Sequence, residues 1–115
     1  MSYFGKTQNV LAPRRQAPGL SGRFILLAPL PLRVEWAGRP FRFQVEQDSV
    51  SKELRLFAKD VELERAGSYS AFLLATSGKQ ADLDRRMFSD GIDCESRPGF
   101  GMFRQLVSDG KARAL

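Results

Sequence analysis

The chain has 115 residues and a formal net charge of +5, from 18 Lys plus Arg against 13 Asp plus Glu, with no His and one Cys. Without His there is no imidazole base or ligand, and one Cys makes neither an internal disulfide nor a thiolate cluster; Ser-His-Asp, Cys-His and His-containing metal chemistry are excluded. At 43% hydrophobic and 27% charged, the composition is that of one soluble globular domain with a modest core.

The charge is unevenly placed. Residues 1–45 carry seven basic side chains against Glu35 alone, a balance of +6, while the remainder carries 11 basic and 12 acidic, a balance of −1. Arg outnumbers Lys thirteen to five, and the guanidinium fork suits phosphates and carboxylates. An anionic partner is therefore expected at this end of the chain: a nucleic acid, a nucleotide or an acidic protein surface. The alternative is plain solubility charge. The longest apolar run, residues 24–32, contains two prolines and falls far short of the roughly 20 residues of a spanning helix. With a single Cys, the expected location is the reducing cytoplasm.

Residues 1–23 hold three Gly and two Pro and little apolar period, and read as a basic arm or linker before a single β-domain over 24–115. Leu32-Arg33-Val34-Glu35-Trp36 and Phe41-Arg42-Phe43-Gln44-Val45-Glu46 alternate on either side of the turn residues Ala37-Gly38-Arg39-Pro40, which predicts a β-hairpin. Leu32, Val34, Trp36, Phe41, Phe43 and Val45 share the core face; Arg33, Glu35, Arg42, Gln44 and Glu46 face water or a partner. Leu54-Arg55-Leu56 and Val61-Glu62-Leu63 are read as two short strands around a Lys59-Asp60 turn, and Ala66-Gly67-Ser68 leads into an apolar strand near residues 69–75. Residues 81–97 are charge-rich, with Arg85-Arg86-Met87-Phe88 and Ile92-Asp93-Cys94 as candidate strands. Pro98-Gly99-Phe100-Gly101 reads as a break, residues 102–106 as a last strand, and Ser108-Asp109 as the cap of a short C-terminal helix. The expected fold is all-β, a small antiparallel β-barrel with a basic N-terminal arm and a short C-terminal helix.

The order of these pieces resembles the PilZ domain, the bacterial barrel that senses cyclic di-GMP. The pieces are Ala12-Pro13-Arg14-Arg15, the hairpin, the turn and strand over 48–56, Ala66-Gly67-Ser68, and Gly99-Phe100-Gly101-Met102-Phe103-Arg104. The resemblance implies ligand contacts from Arg14, Arg15, Arg23 and Asp48. The family's Arg-x-x-x-Arg and Asp-x-Ser-x-x-Gly motifs are incomplete, however: Pro18 and Gly19 stand where the second Arg belongs, Val50 stands in the Ser place and Glu53 in the Gly place. Val50 donates no hydroxyl hydrogen bond, and Glu53 sets a Cβ and a carboxylate where a close backbone approach is needed. A degenerate member of this kind implies a non-enzymatic adaptor that acts on a protein partner, binds cyclic di-GMP weakly or not at all, and has no cofactor.

Two other readings use the same residues. Arg14, Arg15, Arg23, Arg33 and Arg42 interleaved with aromatics suit a nucleic-acid-binding barrel of the OB type working on phosphates, although Trp36, Phe41 and Phe43 fall on the core face. A basic arm before a small β-domain also suits a phage or assembly subunit whose arm orders on contact. Catalysis is not expected. Asp82, Asp84, Asp90, Asp93 and Glu95 interleave with Arg85, Arg86 and Arg97 as solvated ion pairs. Cys94 between two carboxylates has its thiolate disfavoured.

Overall fold

In the computed structural model, which describes residues 22–95 and 97–115, strand β1 (Gly22–Leu26) comes first, so Arg23 already lies in a sheet. The hairpin is present as β2 (Leu32–Trp36) and β3 (Arg39–Gln47). Its turn is shorter than the predicted one, because Ala37 and Gly38 take φ of 53° and 75°. Positive φ at both central residues matches the twist of the flanking strands, and it leaves Arg39 and Pro40 paired with Trp36 and Glu35. Leu32, Val34, Phe41 and Phe43 are buried, with Trp36 and Val45 packed against them, as the alternation requires.

Strands β4 (Leu54–Asp60) and β5 (Ala71–Ser77) extend the hairpin into an antiparallel sheet in the order β2-β3-β4-β5. The candidate strand Val61-Glu62-Leu63 is instead helical, α1 (Val61–Arg65), because Asp60 ends β4 and caps the helix by accepting the Leu63 N–H. The candidate strand Arg85-Arg86-Met87-Phe88 is also helical: α2 (Gln80–Arg85) runs into a wider π-type turn over Arg86–Asp90. Leu83 and Met87, four residues apart, bury on one side of it. Strand β6 (Ile92–Cys94) forms as read. The expected break and last strand are one helix, α3 (Arg97–Ser108), with Gly99, Phe100, Met102, Phe103 and Leu106 on its buried side. Pro98 is tolerated because it lies in the first turn, where no intrahelical N–H is needed. The chain then turns at Gly110 into β7 (Ala112–Ala114), so a strand follows α3 where a C-terminal helix was expected.

The seven strands do not close into the expected barrel. Among the described residues they form two antiparallel sheets, the four-stranded one and a three-stranded one in the order β6-β1-β7. The physical reason is α3, which packs against both. Phe103 stacks on Phe24 of β1 with ring centroids 5.1 Å apart and planes 11° off parallel, and meets Phe43 of β3 edge-on at 5.3 Å. All three rings are buried. A helix held between the sheets takes the place of strand-to-strand closure.

The approach of α3 to the hairpin is set at Gly101. A Cβ there would overlap the Trp36 indole, 2.9 Å from Cε2, so glycine is kept inside a helix despite a cost of about 1 kcal/mol relative to alanine. Overpacking of about 1–3 kcal/mol, offset by about 1 kcal/mol of helix propensity, should leave Gly101→Ala destabilised by up to about 2 kcal/mol. Phe103→Ala should cost about 3–5 kcal/mol. Urea unfolding followed by tryptophan fluorescence checks both.

Candidate binding face

Because Phe41, Phe43 and Val45 point inward, β3 turns Arg42, Gln44 and Glu46 to the outer face of the four-stranded sheet. The register pairs Arg42 with Lys59, Gln44 with Phe57 and Glu46 with Arg55, so β4 adds three more side chains to that face. Helix α1 brings Glu64 over its edge. The result is a closed ring of polar groups. Arg42 Nε donates to Gln44 Oε1 at 2.6 Å, Gln44 Nε2 to Glu46 Oε2 at 2.8 Å, and Lys59 Nζ to Glu46 Oε2. Lys59 Nζ also lies 3.4 Å from Glu64 Oε2, and Arg42 Nη2 closes the circuit on Glu64 Oε1 at 2.7 Å.

Burial makes the ring matter. Lys59 is only 8% exposed, so its ammonium depends on the two carboxylates for the solvation it has lost. Lys59 is raised from its ordinary value chiefly by the hydrogen bond to Glu46, Glu46 is lowered chiefly by Lys59, and Glu64 chiefly by Arg42. Beside the ring, Arg39 Nε and Nη2 grip the buried Asp60 carboxylate at 2.8 and 3.1 Å while Asp60 Oδ1 accepts the Leu63 N–H at 3.0 Å. This clamp lowers the Asp60 pKa, mainly through Arg39. By fixing the start of α1, it also fixes Glu64.

Along β4 and β5 the same face turns apolar. Tyr69 is 63% exposed and Leu73 is 55% exposed, with Phe57 directly opposite Leu73. The Lys59 ammonium sits 5.3 Å from the centre of the Tyr69 ring. Phe57 and Tyr69 also line a hollow of about 320 Å³ with Glu46, Asp48 and Arg55. The face thus offers exposed aromatic and aliphatic carbon beside rigidly held charge, which is the chemistry of a protein-contact surface.

Of the four ligand residues that the PilZ resemblance implies, Arg23 and Asp48 fall among the described residues. Arg14 and Arg15 lie outside the described residues. Arg23 is in β1, paired with Asp93 at 2.9 Å, and Asp48 is in the turn that joins β3 to β4. Asp48 organises its own turn: its carboxylate accepts the N–H groups of Val50 at 3.1 Å and Ser51 at 2.7 Å, and the Ser51 bonds do most to lower its pKa. Val50 is 89% exposed. Of the nucleic-acid set, Arg33 and Arg42 lie directly opposite each other, but Arg42 is committed to Glu64, and the Phe41 and Phe43 rings are buried.

A second hollow, about 550 Å³, lies between the β1–β2 connection and α2, lined by Pro29, Leu30, Pro31, Val45, Met87 and Phe88 with Gln44, Gln80 and Asp84. Among the described residues its lining includes no Lys or Arg. The acidic stretch makes the ion pairs its sequence suggests: Arg85 joins Asp82 at 3.2 Å and Asp90 at 3.1 Å. Burial, with a smaller contribution from the Asp93 charge, pushes the Cys94 thiol up to about 12. Among the described residues no helix is long and apolar enough to cross a membrane.

Sequence reasoning missed Lys59, Glu64, Phe57, Tyr69 and Leu73. The signal available was the continued alternation Arg55, Phe57, Lys59 through a stretch read as ending in a turn. Glu64 and Tyr69 carried no local signal, since only the fold brings them to this face. Comparison with known protein families, curated proteins and solved structures gives no match.

The lowered carboxylates contribute stability that is complete above their ordinary values of 4.5 for Glu and 3.8 for Asp, and that is lost as pH falls through the folded values. Lys59 works in the opposite sense: its contribution is complete below 10.5 and lost as pH rises through its folded value. Cys94 acts in the same sense as Lys59, because its thiol is raised above the ordinary 9.0 and the unfolded chain gives up that proton first. Stability should therefore plateau between 4.5 and 9.0. Lys59→Met should lower the melting temperature on the plateau and lessen the alkaline decline while the part due to Cys94 remains, as measured by thermal denaturation across pH.

Proposed function

We propose that this protein is a non-enzymatic binding module that engages a protein partner through the outer face of its four-stranded sheet. The observation that carries this reading is the adjacency of exposed Tyr69 and Leu73 to the Arg42–Gln44–Glu46–Lys59–Glu64 ring. The charges are held in place before any partner arrives, so little side-chain entropy remains to be lost on binding, and the exposed ring and aliphatic group supply the apolar contact. The resemblance to a degenerate PilZ domain supports an adaptor role. The absence of a hydroxyl at Val50 and of a glycine at Glu53 supports weak or absent cyclic di-GMP binding, and one oxygen of Asp48 is already engaged by the N–H groups of its own turn.

Immobilised protein, incubated with nuclease-treated extract of the native host, should retain a protein partner. Tyr69→Ala, a change at an exposed position, should weaken that capture by about tenfold or more. Recovery that disappears on nuclease treatment, or capture unaffected by Tyr69→Ala, would overturn the reading in favour of nucleic acid or of another face. Titration calorimetry with cyclic di-GMP should show no micromolar affinity, and micromolar affinity would overturn the degenerate assignment.

A further inference from the structure

The two sheets leave four edge strands among the described residues: β2 and β5 in one, β6 and β7 in the other. An edge strand presents unpaired backbone N–H and C=O groups, and proteins blunt such edges with charged side chains or prolines. Strand β2 carries Arg33 and Glu35, β6 carries Asp93, and β7 carries Arg113. Strand β5 reads Ala-Phe-Leu-Leu-Ala-Thr-Ser over seven residues, with neither a charge nor a proline. Among the described residues it is the one edge of the four without a charged side chain or a proline.

The backbone shows which rungs are open. The Asp60 N–H donates to the Ser70 carbonyl at 2.9 Å, so Ser70 directs its backbone groups towards β4. By the alternation of an antiparallel ladder, Ala71 and Leu73 direct theirs away from it. Beyond the irregularity between the Leu56 and Phe57 positions of β4, the edge is closed again, because Arg86 Nη1 donates to the Thr76 carbonyl at 2.8 Å. The open window is short, and a long extended peptide would meet the Arg86 guanidinium.

Two rungs spaced two residues apart are what an antiparallel two-fold contact uses. We propose that β5 pairs with β5 of a second copy about an axis at Phe72, with Ala71 opposite the partner's Leu73 and Leu73 opposite the partner's Ala71, joining two four-stranded sheets into one of eight strands. The side chains match in this register. On the outer face the bulky, exposed Leu73 covers the small Ala71 of the other copy and lies diagonally beside its Tyr69, within reach of a long or aromatic side chain. No charge on either strand meets its like, and the contact is isologous and closes on itself. The contact shares Leu73 and Tyr69 with the face proposed above to bind a protein, but it rests on the backbone edge of β5; Ala71→Pro, which removes an N–H and no outer-face side chain of that site, separates the two.

Sedimentation equilibrium of the full chain from about 10 μM to about 1 mM tests this directly. The mass should rise from the 12.9 kDa of one chain towards twice that value. Leu73→Lys places a charge at an already exposed position and should raise the dissociation constant at least about tenfold. Ala71→Pro removes one outward N–H and leaves the ladder to β4 intact, with the same expected result. A chain that stays monomeric throughout overturns the proposal. So does a variant of unchanged circular dichroism that dimerises as tightly as the original.

Discussion

The structure rests on one aromatic contact. Phe103 of α3 stacks flat on Phe24 and meets Phe43 edge-on, so this one ring touches both sheets, with Phe100 edge-on against Phe24 and Gly101 against Trp36 on either side of it. Aromatic pairs in these geometries add about 0.5–1.5 kcal/mol each beyond the area they bury, but their larger consequence here is positional. The helix sits between the sheets, so the strands cannot run on into a closed barrel, and every strand at a sheet margin remains an edge. Gly101 follows from the same constraint: the helix approaches the hairpin so closely that Trp36 occupies the space a side chain would need.

That inner packing determines what the outer face can be. With Phe41, Phe43, Leu56 and Ala58 committed to the core, the alternate residues of β3 and β4 must face outward; their register sets Lys59 opposite Arg42, and its long side chain reaches along the face to Glu46. A lysine this buried is stable only with its counter-charges in place. The clamp of Arg39 on Asp60 starts α1 at the right residue to deliver Glu64 as the second carboxylate. Fold and surface chemistry are thus linked from core ring to strand register to ion network. The exposed carbon of Tyr69 and Leu73 borders the network, and the proposed function draws on that combination.

The two strands of the hairpin were legible in the sequence, including which side chains face in, because period-two alternation encodes both the strand and its orientation; the turn was not, since Arg39 and Pro40 pair within the ladder. Strand β6 was legible for the same reason. Helix α3 was not: its glycines and proline suggested a break, and the helical spacing of Gly99, Met102, Phe103 and Leu106 carries weight only once Gly101 is understood as room for Trp36. Asp60 was misread as a turn residue because a capping carboxylate and a turn carboxylate look alike until the N–H it accepts is known. Among the anticipated site residues, Asp48 holds the turn after β3 through its own carboxylate and Arg23 lies in β1 beside Asp93, partnerships that no local motif records.

By itself the sequence determined the classes of chemistry denied to this protein, since composition fixes which functional groups exist at all, and it determined the local elements whose apolar period is unbroken. It also placed the excess positive charge in the first two-fifths of the chain. Only the tertiary structure decided that the strands divide into two sheets around a helix, that Lys59 is buried among carboxylates from two other elements, and that β5 is left as an uncharged edge. These depend on contacts between residues far apart in the chain, with Phe24 and Phe103 meeting across the whole domain, and periodicity along the sequence holds no record of such distances.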